Sequence, residues 1–154
     1  MFSLCYNNFN NKGDSKMNGK EIYSAWVRAW NEDINILDGI VDKECVVHQA
    51  RTDNKKSDEL KGIEAVKNVI QSSAAYFNDI SMTLVVTPIE ENNYVSARWN
   101  FKGRYNGEMQ GARAKKGTSI SFEGTDIFFI KDGKIKDYWV SSDVMDFMNQ
   151  LEML

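Results

Sequence analysis

The chain has 154 residues, of which 42% are hydrophobic and 27% are charged. This balance is typical of one globular domain with a buried core, and it excludes a chain that is disordered throughout. The formal net charge of −3 provides no excess of cations for phosphate groups, and no apolar run is long enough to span a bilayer, so we expect neither a nucleic-acid partner nor a membrane protein.

The start of the chain differs from the rest. A short apolar stretch is followed by an Asn-rich segment, and a second methionine, Met17, lies where the ordered pattern begins. We predict that 1–16 is a disordered leader or an upstream start-site extension and that 17–154 is a single domain. Because the leader lacks the basic start and the length of a secretory signal, we expect a cytoplasmic protein. The two cysteines, Cys5 and Cys45, do not make a disulfide framework.

Apolar residues spaced three and four apart predict helices in the first half of the chain. In chain order the segments are a helix from 18, a short helix over 34–41, a β-type segment over 45–50, a polar loop over 51–59 and a long helix over 60–77. Trp26 and Trp30 lie on the apolar stripe of the first helix, and we assign them to the core.

The second half alternates between apolar and polar residues, which predicts strands. They are expected over 80–87, 94–105, 119–130 and 134–142, with a short helix after Asp143. Pro88 is expected to end the first strand, and Asp132-Gly133 predicts a tight hairpin turn. Helices followed by strands favour an α+β fold, in which a curved antiparallel sheet wraps over the N-terminal helices as a cone with an apolar interior.

Asp126 is the most informative position. It shares one face of its predicted strand with large apolar residues, among them Phe122 and Phe128. Alternation alone does not identify the inner face, and a bulge near Gly124 would exchange the face that points inward with the one that points outward. If this face points inward, desolvation raises the pKa of the carboxyl group, as a general acid or base near neutral pH requires. The alternative is a carboxylate that a Trp or Tyr side chain binds as part of the scaffold.

Other candidates accompany it. Tyr105 shares a face with Trp99, and its phenol either holds a carbonyl or enolate oxygen or is a wet aromatic at the rim. His48, the one histidine, is a pocket residue or a hydrogen-bonded core or rim residue, and a single histidine does not make a metal site. Trp99 and Trp139 are each expected in the pocket wall or the core.

Several motifs resemble one known family. They are WNFKGRYNG from Trp99 to Gly107, SFEGTDIF from Ser121 to Phe128, the turn at Asp132-Gly133, and Trp139, Asp143 and Gln150-Leu151 near the end. Together with the earlier Val46-Val47-His48 and the helix start at Gly62, they resemble the SnoaL-like polyketide cyclase family of the nuclear transport factor 2-like superfamily. The resemblance covers about residues 20–151.

The resemblance implies a conical α+β barrel that is often a homodimer through its sheet. Characterised cyclases of the family close a ring by intramolecular aldol condensation without metal or cofactor, and an acidic pocket residue is their acid/base, for which Asp126 is the best match. Tyr105 stands where the family commonly has histidine, and Arg113 to Gly117 where it commonly has a Pro-Thr-Gly turn. With Tyr105 and His48 as further catalytic candidates, we expect ligand contacts from Trp99, Phe128, Trp139 and Asp143.

Two hypotheses follow. In the first, the protein is an enzyme in which Asp126 takes a proton from a carbon next to a carbonyl group, while Tyr105 or His48 holds the enolate oxygen. The same pairing of a base with a phenol donor operates in ketosteroid isomerase. In the second, the protein is a non-catalytic binder of a small apolar molecule or an accessory dimeric module. One fold hosts many functions, so fold alone does not decide.

Overall fold

The computed structural model describes residues 16–49, 56 and 59–154. The predicted leader lies outside them apart from Lys16, as does most of the predicted loop over 51–59, and the domain boundary at residue 17 stays a prediction. The helices are α1 (Gly19–Asn31), α2 (Leu37–Ile40), α3 (Gly62–Ala74) and α4 (Val144–Gln150), with a 3₁₀ turn at Ile34–Ile36. The strands are β1 (Val41–His48), β2 (Phe77–Glu91), β3 (Tyr94–Tyr105), β4 (Ser119–Lys131) and β5 (Lys134–Ser142).

The strands form one open, curved sheet in the order β1-β5-β4-β3-β2. β2 to β5 are antiparallel neighbours, as expected, whereas β1 pairs with β5 in parallel. The sheet is therefore mixed rather than wholly antiparallel, because the chain crosses through α3 before it returns to the sheet. The predicted α+β class, with helices packed on a curved sheet, is confirmed.

Helix α1 lies against the inner face of the sheet. Asn18 and Glu21 form a capping box, in which each side chain binds the backbone N–H of the other residue and satisfies the free end of the helix. The apolar stripe beyond it is buried as the spacing predicts, and Ile22 and Trp26 are fully inaccessible. This stripe brings α1 residues next to strands about a hundred positions later in the chain.

Two short turns set the register of the hairpins. Asn92 and Asn93 have φ of 50° and 68°, and Asp132 and Gly133 have φ of 57° and 73°. Positive φ at both central residues matches the twist of the strands that such a turn joins. The predicted hairpin at Asp132-Gly133 is confirmed.

Pro88 does not end its strand, which is a correction to the prediction. β2 continues to Glu91 and lies at the edge of the sheet. Proline has no backbone N–H, and an edge strand tolerates it because one side of the strand has no neighbour to bond. The pairing with β3 shifts between Val86 and Ile89, so the ladder is irregular beside the proline.

Within the described residues, no helix is long and apolar enough to cross a membrane. Cys45 is a free, buried thiol, and burial raises its pKa to about 12. Cys5 lies outside the described residues, and the cytoplasmic location stays a prediction.

Candidate functional site

A cavity of about 310 Å³ opens on the inner face of the sheet. Its wall comes from α1, α3, α4 and strands β2 to β5, and most of it is apolar, with Trp30, Met82, Trp99, Phe101, Phe122 and Phe147 among the lining residues. Serines and Gln49 also contribute. Asp126 is the one charged residue that the described part of the chain contributes to this wall. The cavity is at the small end of the range for ligand sites.

Asp126 lines this cavity and is 1% exposed. Its Oδ2 accepts hydrogen bonds from the Tyr23 hydroxyl (3.2 Å) and from Trp26 Nε1 (3.1 Å), both on α1. Its Oδ1 has no hydrogen-bond partner among the described residues. Helix α1 thus holds one of the two carboxylate oxygens through two donors.

The electrostatics of Asp126 follow from this burial. Desolvation raises the pKa of the carboxyl group to about 7, against the lowering effect of nearby donors on Trp99, Tyr138, Tyr23 and Trp26. Burial, together with the Asp126 charge, also raises the pKa of Tyr23 and of Tyr138, so both phenols stay protonated. Asp126 therefore changes its charge near neutral pH inside a mostly apolar cavity.

The strand pattern placed Asp126 correctly, since Ile120, Asp126 and Phe128 are all inaccessible on the inner face of β4. The structure has the feature that each interpretation of Asp126 requires. Aromatic donors bind it, as expected of a scaffold residue, and it lines a cavity, as expected of a functional residue. Trp99 also lines the cavity. Phe128 does not; it packs in the core, with ring centroids 5.0 Å from Trp26 and 5.4 Å from Tyr138.

Tyr105 is buried, and its hydroxyl is bound by the loop that follows β3. It accepts a hydrogen bond from the Met109 N–H (2.9 Å) and donates one to the Met109 carbonyl (3.3 Å). Tyr105 is 1% exposed and is not among the residues that line the cavity. The predicted pairing of this phenol with Asp126 is therefore not formed, because the loop after β3 folds back over it.

His48 and Trp139 lie on the outer face of the sheet. His48 Nε2 is 2.8 Å from Asp137 Oδ1, and its ring stacks on Trp139 with centroids 4.5 Å apart and planes 6° apart. Neither lines the cavity, so the expectation that Trp139 is pocket wall or core is wrong. Lys136 is an extra residue in the pairing of β5 with β4, and this bulge turns Tyr138 inward and Trp139 outward.

Asp143 precedes α4 without capping it by a side-chain hydrogen bond. Its Oδ2 accepts a hydrogen bond from Arg98 Nη2 (2.6 Å), and the Nε of the same arginine donates to Glu123 (2.6 Å). This ion-pair cluster lies on the exposed side of the sheet, and Asp143 is not among the cavity residues. The structure thus brings together Asp126 and Trp99, and separates them from the other candidates.

Several site residues were missed or assigned only to the core. Tyr23 and Trp26 hold Asp126, while Trp30 and Tyr138 line the cavity. Helical spacing marked Trp26 and Trp30 as buried, but it contains no information about their partners on β4. Tyr138 was hidden by the bulge at Lys136.

Comparisons with known proteins agree with this architecture. The SnoaL-like polyketide cyclase family matches residues 20–151. TsrD from Streptomyces laurentii is similar in structure, with a TM-score of 0.72, 28% identity, and coverage of 88% of this chain and 95% of its own. IdmH from Streptomyces antibioticus gives a TM-score of 0.73 at 21% identity, covering 85% of this chain and 96% of its own.

A SnoaL-like polyketide cyclase from Agrobacterium tumefaciens shares 15% identity, with a TM-score of 0.69 and coverage of 88% of this chain and 98% of its own. At such identity the likeness concerns the fold alone. No functionally curated protein matches the sequence. The family match spans most of the chain, includes the strand that carries Asp126, and agrees with the observed fold. The chain therefore belongs to the SnoaL-like polyketide cyclase family.

Proposed function

We propose that the protein is a cofactor-independent cyclase or isomerase in which Asp126 moves a proton at a carbon next to a carbonyl group. The observation that carries this proposal is a buried carboxylate, Asp126, in the wall of a mostly apolar cavity. A pKa near 7 supports it, because such a base is substantially ionised at neutral pH and still holds the proton that it removes.

The chemistry needs no group beyond the carboxylate and the ligand. Ionised Asp126 takes the α-proton, the C–H electron pair moves toward the carbonyl oxygen, and an enolate forms beside a neutral carboxylic acid. In an isomerase the same proton returns to another carbon. In a cyclase the enolate carbon attacks a second carbonyl carbon of the same molecule, and the alkoxide that forms takes the proton.

Exchange of α-protons tests the first step without the natural substrate. The protein is incubated in D₂O with 1-tetralone, a neutral bicyclic ketone, and loss of the α-proton signal is followed by NMR. We expect the catalysed rate to fall at least about a hundredfold in Asp126→Asn, which keeps the shape of the side chain but removes the base. Asp137→Asn, on the outer face, is the matched control and should exchange like the unaltered protein.

An exchange rate that Asp126→Asn leaves unchanged would contradict the proposed base. The second candidate, a non-catalytic binder, is supported by the placement of Tyr105 and His48, neither of which joins Asp126 at the cavity. Binding of 1-tetralone without any catalysed exchange would favour it.

We propose that the protein is a homodimer through the outer face of the sheet. One row of paired residues crosses all five strands there: Ile89, Ser96, Ile127, Trp139 and His48. Ile89 is 66% exposed and Ile127 is 40% exposed, so two large apolar side chains of this row are uncovered in the single chain.

Light scattering of the purified protein tests this assembly. Ile127→Lys places a charge at the centre of the row and is expected to shift the mass from two chains to one. Met145→Lys is the control, because it places the same charge at an exposed apolar residue of α4, outside the row. A dimer that persists in Ile127→Lys, or an unaltered protein that is monomeric, would contradict the interface.

A further inference from the structure

The polar residues that line the cavity differ in their exposure to solvent. Asp126 and Trp99 are buried, whereas Ser72 and Ser73 are exposed and Tyr76 is half-buried. All five contribute to the wall of the same cavity. The two serines and Tyr76 therefore border its mouth, and the carboxyl group of Asp126 lies in its interior.

One face of α3 provides this side of the mouth. The residues of α3 and the turn after it that line the cavity follow helical spacing: Val69, Ser72, Ser73 and Tyr76. Ala75, which follows α3, has helical backbone angles (φ −56°, ψ −24°), so Tyr76 continues the same face. Ser72 and Tyr76 are four positions apart, which places their β-carbons roughly 5–6 Å from each other on a helix. The two hydroxyl-bearing side chains are therefore neighbours at the mouth.

The hydroxyl groups of Ser72 and Tyr76 are available to a ligand. Among the described residues neither forms a hydrogen bond, whereas the Ser73 hydroxyl donates to the Val69 carbonyl of its own helix (2.7 Å). Ser72 is exposed, and the Tyr76 hydroxyl is not one of the inaccessible polar atoms without a partner. Both groups can therefore exchange a bond to water for a bond to a ligand.

We propose that the hydroxyl groups of Ser72 and Tyr76 bind an uncharged polar group of the ligand, a hydroxyl or a carbonyl, at the mouth of the cavity. Each hydroxyl donates one hydrogen bond and also accepts, so the pair suits a donor as well as an acceptor. This inference deepens the function proposed above and rests on it only for the position of the reacting carbonyl group, beside Asp126. The ligand then carries two polar groups on one apolar body, one inside the cavity and one at its mouth.

The charge of the wall favours an uncharged group at the mouth. Among the described residues the lining contains no lysine, arginine or histidine, and Asp126 is its one charged side chain. A carboxylate or phosphate group that entered the mouth would lose hydration without an ion pair to offset the cost. The Ser72 and Tyr76 hydroxyls therefore suit a neutral oxygen better than an anion.

The rest of the wall defines the body of the ligand. It is mostly apolar, with Met82, Phe101 and Phe122 among its residues, and the cavity has a volume of about 310 Å³. A space of this size and character fits a compact apolar body of about two fused rings. We therefore assign the ligand to uncharged two-ring carbonyl compounds with a second neutral oxygen on the ring that faces the mouth.

Two compounds of the same shape test the assignment by calorimetric titration. They are 7-hydroxy-1-tetralone and 7-methyl-1-tetralone, used at pH 6, where the phenol is neutral. Ser72→Ala and Tyr76→Phe each remove little more than a hydroxyl group. We expect each variant to weaken the hydroxy compound roughly three- to tenfold and the methyl compound less than about twofold, since only the former loses a hydrogen bond.

Ser73→Ala is the matched control. Ser73 lies on the same helix and also lines the cavity, but its hydroxyl is already bound to the Val69 carbonyl, so this variant should change neither affinity. Equal effects on the two compounds in Ser72→Ala or Tyr76→Phe, a selective loss in Ser73→Ala, or no binding of the hydroxy compound would overturn the assignment. The anion 7-carboxy-1-tetralone should bind more weakly than the hydroxy compound, and equal or tighter binding would overturn the uncharged class.

Failure of this inference and failure of the proposed function are distinguishable. In the Asp126→Asn background, Ser72→Ala should still weaken the hydroxy compound selectively, while catalysed exchange is lost. Exchange that persists in Asp126→Asn would overturn the base and leave the hydroxyl pair in place. Exchange that depends on Asp126, without a selective effect of Ser72→Ala or Tyr76→Phe, would overturn the hydroxyl pair and leave the base in place.

Discussion

Asp126→Asn is expected to gain stability over the unaltered protein as the pH rises from 4 to 8, by on the order of 4 kcal/mol. The pKa of Asp126 is raised from 3.8 to about 7 by burial. Its stability contribution is fully present below the unfolded pKa, declines as the pH rises, and is lost once the pH passes the folded pKa. Asparagine stays neutral throughout and avoids this loss.

Urea unfolding of both proteins at several pH values between 4 and 8 measures the difference. Asparagine keeps an acceptor for Tyr23 and Trp26, so the two proteins should be closest in stability at the acid end. Glu123→Gln is the control, because that carboxylate is partly exposed in the outer ion-pair cluster with Arg98. A variant that loses stability relative to the unaltered protein as the pH rises would show that the ionised carboxylate is a satisfied part of the scaffold.

Trp26→Ala is expected to lower the free energy of unfolding by about 3–5 kcal/mol, a large fraction of the stability of an ordinary domain. Trp26 is fully buried, and its ring centroid lies 5.0 Å from Phe128 and 4.9 Å from Tyr138. The change empties this space and removes a hydrogen bond to Asp126. Because that bond favours the ionised carboxylate, the loss should be greater at pH 8 than at pH 5.

Trp26→Phe separates the two contributions, since it retains most of the packing and removes only the donor. We expect a cost of roughly 1–3 kcal/mol at pH 8, measured by the same urea unfolding. Met145→Ala is the comparison, because this side chain on α4 is 63% exposed and its removal leaves no buried cavity. Equal losses from Trp26→Ala and Met145→Ala would contradict the central role assigned to Trp26 in the core.

The inner face of the sheet was predictable because alternation has a period of two. Trp99 and Asp126 each follow the parity of their strand, and both are buried where the pattern placed them. The alternation no longer predicts the inner face beyond a bulge, where one strand contains an extra residue. The extra Lys136 in β5 reverses the orientation of Trp139, and nothing in the local composition announces it.

Contacts between distant elements were also beyond prediction. Tyr23 on α1 is 103 positions from Asp126, and helical spacing shows that Tyr23 is buried without showing which residue it meets. The Tyr105 hydroxyl is bound by the backbone of Met109, a contact that depends on the path of an irregular loop. The sequence thus predicted that Asp126 lies on the inner face of its strand, whereas the residues that bind it became evident only from the fold.

The most direct test of the account is the pKa of Asp126 itself. Carboxyl ¹³C signals of the labelled protein are followed from pH 3 to 9, and Asp126→Asn identifies the signal that belongs to this residue. The account predicts that this signal titrates with a midpoint near 7. A midpoint at or below the ordinary value of an aspartate, about 3.9, would contradict the claim that Asp126 is a proton-accepting group in the cavity.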